Sequence, residues 1–268
     1  MVVLCGSREE RGRATAPHRT ASSETLVQPI EFDRHADTYS EKINRTLSAW
    51  GQEQEFYTRC KVPLLREALD AARTQRPLRV LDVGCGIGLI HPFLAPSVDE
   101  LHGTDVSQQS IAIARRSNPS VHYRAQTEDA LPYPDNSFDC AYAICVLHHV
   151  SPAQWPGFIS EMARVVRPDG IVLIIEHNPL NPATQWVVRS CELDEGAVLL
   201  PPWTLRNLMA EAGIAALDVR HILFTPFDRP LFRKLDRLLA RVPFGAQYVV
   251  SGRNSKAGNA GRHLCQNA

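Results

Sequence analysis

"VLDVGCGIG", residues 80–88, sets three glycines at alternate positions behind an apolar run that ends in an acid. A turn so poor in side chains lets a ligand approach bare backbone. The run reads as a strand, "LRVLDV" at 78–83, entering a loop and then a helix around "IHPFLA" that Pro96 cuts short. Two phosphate-binding patterns fail here. A dinucleotide fingerprint needs Gly or Ala at 89 after Gly84 and Gly86, where the chain has Leu89, and the P-loop pattern is absent. Taken alone, a glycine-rich turn after a strand is weak evidence for a ligand, and a merely structural turn is the alternative.

Outward from the loop, strand-like runs alternate with helical patterns. A helix over roughly 51–72 precedes the first strand, and "ELHGTDV" (100–106) is the second. Ser107 is placed as an N-cap for "QQSIAIARRSN", and "VHYRA" is a short third strand. "FDCAYAICVL" (138–147), apolar almost throughout, suits a central parallel strand. After the helix "PAQWPGFISEMARVVRP", "PDG" is expected to turn the chain into strand five, "IVLIIE" at 171–176. "TLRNLMAEAG" is a further helix, and "AALDVRHILF" and "AQYVVSG" are closing strands. The order predicts an α/β protein with a doubly wound, Rossmann-like seven-stranded sheet, mostly parallel with an antiparallel closing strand. Ligands of such sheets sit beyond the carboxyl ends of the strands, where the strand order reverses.

The bulk properties narrow the class. The chain has 268 residues, and 29 basic side chains balance 29 acidic ones, which argues against a broad nucleic-acid-binding surface. Seven cysteines stand scattered, without CxxC spacing or a neighbouring zinc pattern, so reduced thiols, no metal centre and a cytoplasmic setting are expected. The apolar stretch in "MVVLCGSREERGR" is too short for a signal-peptide core. Residues 1–28 read as a disordered leader, 29–250 as the folded domain and 251–268 as a flexible tail.

Two acids accompany the glycine loop. Asp82 precedes Gly84 by two positions, and Asp105 ends the second strand, where a carboxylate can take both hydroxyls of a ribose. The ordered set "VLDVGCGIG", "GTDVS", "LPYPDNSFDCAYAICVLHHV" and "EMARVVRPDGIVLIIEHN" resembles the class I S-adenosylmethionine-dependent methyltransferases over residues 78–178. The similarity is to their small-molecule branch, which includes quinone-biosynthesis enzymes. That resemblance implies S-adenosylmethionine as cofactor, with Gly84, Cys85, Gly86 and Gly88 offering backbone to its methionyl part and Asp82 near the amino group. It places Asp105 on the ribose and Val106 on the adenine, and Cys145, by its position past strand four, lies near the same edge in a small apolar role. Family members often carry an Asp before "LP" for the adenine amine. Here the aligned residue is Thr127, with Glu128 or Asp129 as substitutes. "FDRHADTY" (32–39), ending in Tyr39, is similar to a leader that folds over the cofactor.

Methyl transfer from a sulfonium needs alignment and exclusion of water, and a hydroxyl or acidic-carbon acceptor adds a need for a general base. His148, His149 and His177 fall just past strands four and five, at the expected ligand edge. His149 is the first choice as base and His177 the second. The segment 176–204 is long enough to be a lid, with Trp186, Arg189 and "ELDE" as substrate contacts. In 226–244, Leu231, Leu235, Leu238, Leu239 and Val242 share a helical face opposite arginines, which suits either core packing or an anionic membrane surface. The expected reading is methyl transfer to a small-molecule or lipid-like acceptor at oxygen or carbon, with no nucleic-acid partner. A non-catalytic module keeping the same fold and an NAD-dependent oxidoreductase are the alternatives. Leu89 and the "RPDG" turn count against the second.

Overall fold

In the computed structural model, which describes residues 54–225, 227 and 230–255, the run behind the glycine loop forms β1 (Arg79–Val83). Ahead of it lies α1 (Gln54–Ala72). The loop leads into a short α2 (His91–Leu94), then β2 (Glu100–Asp105), α3 (Gln108–Ser117) and β3 (His122–Ala125). β4 (Phe138–Ile144), α4 (Trp155–Val165) and β5 (Val166–His177) follow. Next come α5 (Pro182–Ser190), α6 (Pro202–Glu211), β6 (Ile214–Ile222), α7 (Pro230–Leu238) and β7 (Gln247–Asn254).

One sheet of seven strands runs β3-β2-β1-β4-β5-β7-β6, with β7 antiparallel to both neighbours and the other pairs parallel. Alternation along the strands feeds two cores. Leu81 and Val83, Ala141 and Ala143, and Val172 and Ile174 point to one face, against Ile159 and Met162 of α4 and Leu205 and Met209 of α6. Val80, Tyr142, Leu173 and Ile175 point to the other, against Leu65 and Leu69 of α1 and Ile111 of α3. Because both faces are covered, β4 reads as a continuous apolar run instead of an alternating one. Ser107 caps α3 by accepting a hydrogen bond from the Ser110 amide at 3.0 Å, as expected from its position.

Several boundaries differ from the sequence reading. Strand four stops at Ile144, because Cys145 takes a left-handed φ of 56° that breaks the ladder. "RPDG" is not a turn before strand five but an excursion within it. Phe138 pairs with Val166 and Cys140 with Ile171, while Asp169 adopts φ 62° and the intervening residues leave the ladder. The strand resumes on the same neighbour, which local turn chemistry cannot reveal. β7 continues to Asn254, into the segment read as tail, because the Asn254 side chain donates to the carbonyls of Ala163 and Val166. The leader, Tyr39 and residues 256–268 lie outside the described residues. Among those described, no helix is long and apolar enough to cross a membrane.

Candidate active site

The turns beyond β1, β2, β4 and β5 enclose a cavity of about 800 Å³, within the roughly 300–1,000 Å³ range of ligand pockets. It lies where the strand order reverses between β1 and β4. One half is lined by Asp82, Gly86, Asp105, Val106, Gln126 and Glu128, and the other by His148, His149, His177, Leu193, Asp194 and Phe224.

The three loop glycines have φ 74°, 52° and 75° at Gly84, Gly86 and Gly88, all in the left-handed region. Their surroundings differ. A Cβ on Gly84 would sit 2.6 Å from Val146, and one on Gly88 2.6 Å from the Tyr123 hydroxyl, whereas one on Gly86 meets nothing within 4 Å. Gly86 therefore opens the backbone to the cavity, Gly84 allows close approach to the turn after β4, and Gly88 stands outside the lining. The three glycines expected at the methionyl part thus differ in surroundings, Gly84 and Gly86 lying on the cavity and Gly88 against the Tyr123 hydroxyl. Thr127 is also outside the lining. Its hydroxyl is 3.2 Å from the Ala130 amide and closes a local turn, leaving Gln126 and Glu128 on the cavity.

Asp82 is buried, with Oδ2 held by His91 Nε2 at 2.9 Å, and His91 Nδ1 lies 2.5 Å from the Tyr123 hydroxyl. The imidazole thus donates to the carboxylate and accepts from the phenol, which fixes its tautomer. Asp105 accepts from the Gly86 amide (2.8 Å, Oδ2) and the Ser107 amide (2.9 Å, Oδ1). Cys85 and Cys145 both line the cavity. Burial pushes the Cys85 thiol well up, reinforced by Asp82 and Asp105, and lifts Cys145 to about 12, so neither is a thiolate nucleophile near neutral pH.

The histidine half is built on Glu176, a buried carboxylate within the apolar strand β5. Oε1 accepts from the Val146 and Leu147 amides at 2.9 and 2.7 Å, and Oε2 lies 2.7 Å from His148 Nδ1. Trp155 Nε1 ties down the same turn by donating to the Leu147 carbonyl at 2.9 Å. On its far side, His148 Nε2 is 3.5 Å from Asp194 Oδ1, as is His149 Nε2. The His148 ring lies 4.1 Å from that of His149 and 4.9 Å from that of His177 between centroids. All three predicted histidines are thus gathered at one place.

Their charge states diverge. Burial works to lower the His148 pKa, but Glu176 and Asp194 outweigh it and raise it to about 9. Burial, with the charge of His148 added, lowers His149 and His177 to about 4 each. At neutral pH the cluster holds one imidazolium beside two neutral imidazoles. A folded-state pKa above the ordinary 6.5 means that the stabilisation from charged His148 is complete below about 6.5 and is lost as pH rises through about 9. The thermal midpoint is therefore expected to fall between pH 7 and 9.5, and Glu176→Gln to flatten that fall; midpoints measured across the range check both.

Sequence reasoning missed Glu176, Lys61 and Gln247. Glu176 carried a visible signal, an acid closing the apolar run "IVLIIE". Lys61 lies buried on α1, with Nζ donating to the Tyr57 carbonyl at 3.2 Å, and Gln247 Nε2 reaches Cys145 Sγ at 3.2 Å. In the 176–204 segment, Val187, Leu193 and Asp194 face the cavity, while Trp186 and Arg189 do not, contrary to expectation. Trp186 is 52% exposed and Arg189 bonds Gln185, one helical turn away.

Comparison with known proteins agrees with this architecture. The family described as "Methyltransferase domain" matches residues 81–174. The ubiquinone biosynthesis O-methyltransferase of Rhizobium etli is 30% identical over 191 residues, spanning 65% of this chain and 76% of that protein. In fold, the chain is similar to an S-adenosylmethionine-dependent methyltransferase from Thermotoga maritima (TM-score 0.58, 18% identity, 84% and 98% covered). It is also similar to phosphoethanolamine N-methyltransferase 2 from Haemonchus contortus, solved with S-adenosylmethionine (TM-score 0.59, 15% identity, 84% and 60% covered). With its sheet order, its glycine turn and its strand-two acid, the chain belongs to the class I S-adenosylmethionine-dependent methyltransferases.

Proposed function

We propose that the glycine-loop half of the cavity holds S-adenosylmethionine and that the histidine half holds an apolar phenolic acceptor whose oxygen receives the methyl group. The observation that carries this reading is the continuity of one cavity from Asp105 to His149. The residues present fit the cofactor. Gly86 leaves its backbone open, Asp105 brings a carboxylate to the cavity wall for a ribose, Val106 offers an apolar contact for adenine, and Gln126 or Glu128 can meet its amine. Asp82, oriented by His91, lines the cavity beside the glycine turn, where the amino group would sit. Bound there, S-adenosylmethionine supplies a methyl group already activated on a sulfonium.

The protein's work is then alignment and exclusion of water. Val187 and Leu193 supply the apolar cover from the segment after β5. His148, already charged, cannot take a proton, so it positions the turn while neutral His149 accepts one, with His177 as the second choice. A base lowered to about 4 is weak. It suits a phenol, acidic at about pH 10 as in tyrosine, far better than an alkanol. The Rhizobium etli relative, named for ubiquinone biosynthesis, supports an acceptor of that kind.

Access from a lipid surface fits the far end of the cavity. Two leucines of the apolar stripe in 226–244 stand open to solvent, Leu231 at 72% and Leu238 at 81% exposure. With arginines beside it in sequence, this stripe suits an anionic membrane, and Leu223 and Phe224 of the preceding segment line the cavity.

The test is label transfer from methyl-tritiated S-adenosylmethionine to phenols, catechols and alkanols, presented free and in anionic vesicles. Labelled phenolic product is expected, most of it from vesicle-embedded acceptors. His149→Ala should slow turnover at least about 100-fold with little change in cofactor affinity. No labelled hydroxyl acceptor, or unaltered turnover in the variant, would defeat the reading.

A further inference from the structure

We infer that His148, His149 and Asp194 form a binding site for one divalent transition-metal cation, opening on the acceptor half of the cavity. This rests on the reading of that half as the acceptor pocket and adds an ion to it. His148 Nε2, His149 Nε2 and a carboxylate oxygen of Asp194 lie within 4.8 Å of one another, and both nitrogens are 3.5 Å from Asp194 Oδ1. An ion held at about 2.0–2.1 Å by tetrahedral ligands spaces them roughly 3.3 Å apart, so two of the three edges are already close to a bound geometry. Two imidazoles and one carboxylate suit zinc, manganese or iron better than magnesium or calcium, which prefer oxygen throughout.

The surroundings add an independent observation. Metal-bound histidines usually donate their other ring N–H to a carboxylate, and His148 Nδ1 lies 2.7 Å from Glu176 Oε2. Glu176 is itself held by the Val146 and Leu147 amides, so the imidazole is oriented before any ion arrives. The ion would displace the proton that His148 Nε2 directs at Asp194, releasing it to solvent, while Nδ1 keeps its hydrogen on Glu176. The ligands come from two separate segments, the turn after β4 and the 3₁₀ turn Glu192–Asp194. All three residues also line the cavity, which leaves the remaining coordination positions on its acceptor side. A phenolic hydroxyl coordinated there loses its proton to solvent more readily, and His149 then serves as ligand instead of base.

The experiment uses the full chain, stripped with a chelator and dialysed. Calorimetric titration with Zn²⁺, paralleled by the visible absorption of Co²⁺, should show one ion per chain. Asp194→Asn and His149→Ala, neither of which empties the core, should each weaken binding by at least about 10–100-fold. The binding of S-adenosylmethionine by each variant confirms that it is folded. Absence of a bound ion in the parent protein, or variants that bind as tightly as the parent, would overturn the site. Full turnover in chelator, with no ion bound, would likewise overturn it while leaving methyl transfer intact. Failure to bind S-adenosylmethionine would instead strike the earlier reading, because the ion titration is read without cofactor or acceptor.

Discussion

Replacing Asp105 by alanine is expected to raise the dissociation constant for S-adenosylmethionine at least about 100-fold. Each charge-assisted hydrogen bond from a ribose hydroxyl contributes roughly 1.5–3 kcal/mol, and tenfold in affinity is about 1.4 kcal/mol, so two bonds suffice. A second effect works in the same direction. The Gly86 and Ser107 amides lose their acceptors, so the open segment of the loop and the entry to α3 are no longer held in position. Asp105→Asn separates the two contributions. It keeps an oxygen and the side-chain volume while removing the charge, and its loss should be smaller than that of alanine. Calorimetry on the three proteins measures the series. Unchanged affinity in the alanine variant would take Asp105 out of the cofactor site.

That Asp105 is visible from sequence with a specific role, while Asp194 is visible only as one acid of "ELDE" with no link to the histidines, follows from how each is specified. Asp105 sits at a fixed offset within a strand–loop–helix unit, and its place beside the glycine turn follows from strand pairing between neighbours. The same logic made the sheet legible, since long apolar runs bounded by glycine and capped helices admit few alternatives. Asp194 reaches the histidines through a segment about fifty residues further along the chain, whose path depends on α5 packing over the cavity. No local period records that. Leu231 and Leu238 illustrate a related ambiguity. Their helical spacing predicts an apolar face, but only the finished packing decides whether anything covers it. Gly88 and Thr127 show the limit of spacing in the opposite sense. Each has the right offset for a ligand contact, yet Gly88 stands against Tyr123 and Thr127 closes a local turn with Ala130.

Glu176→Ala is expected to be the most destabilising single substitution in the site. Removing one partner of a buried ion pair costs about 3–5 kcal/mol, since the other charge is left uncompensated. Here the Val146 and Leu147 amides lose their acceptor as well. In a domain of this size about 1 kcal/mol moves the midpoint by roughly 2–4 °C, so a fall of about 6–20 °C is expected, measured by calorimetry near neutral pH. Glu176→Gln keeps an oxygen for the two amides and should fall less. The same carboxylate shapes the turn that carries His148 and His149, whereas Asp105 and Gly86 lie on other turns. Below its melting point, the alanine variant should therefore bind S-adenosylmethionine while losing most turnover. A variant that melts within about 2 °C of the parent, well inside the shift set by the lost pair, would show that the buried carboxylate does not hold the histidine turn in place.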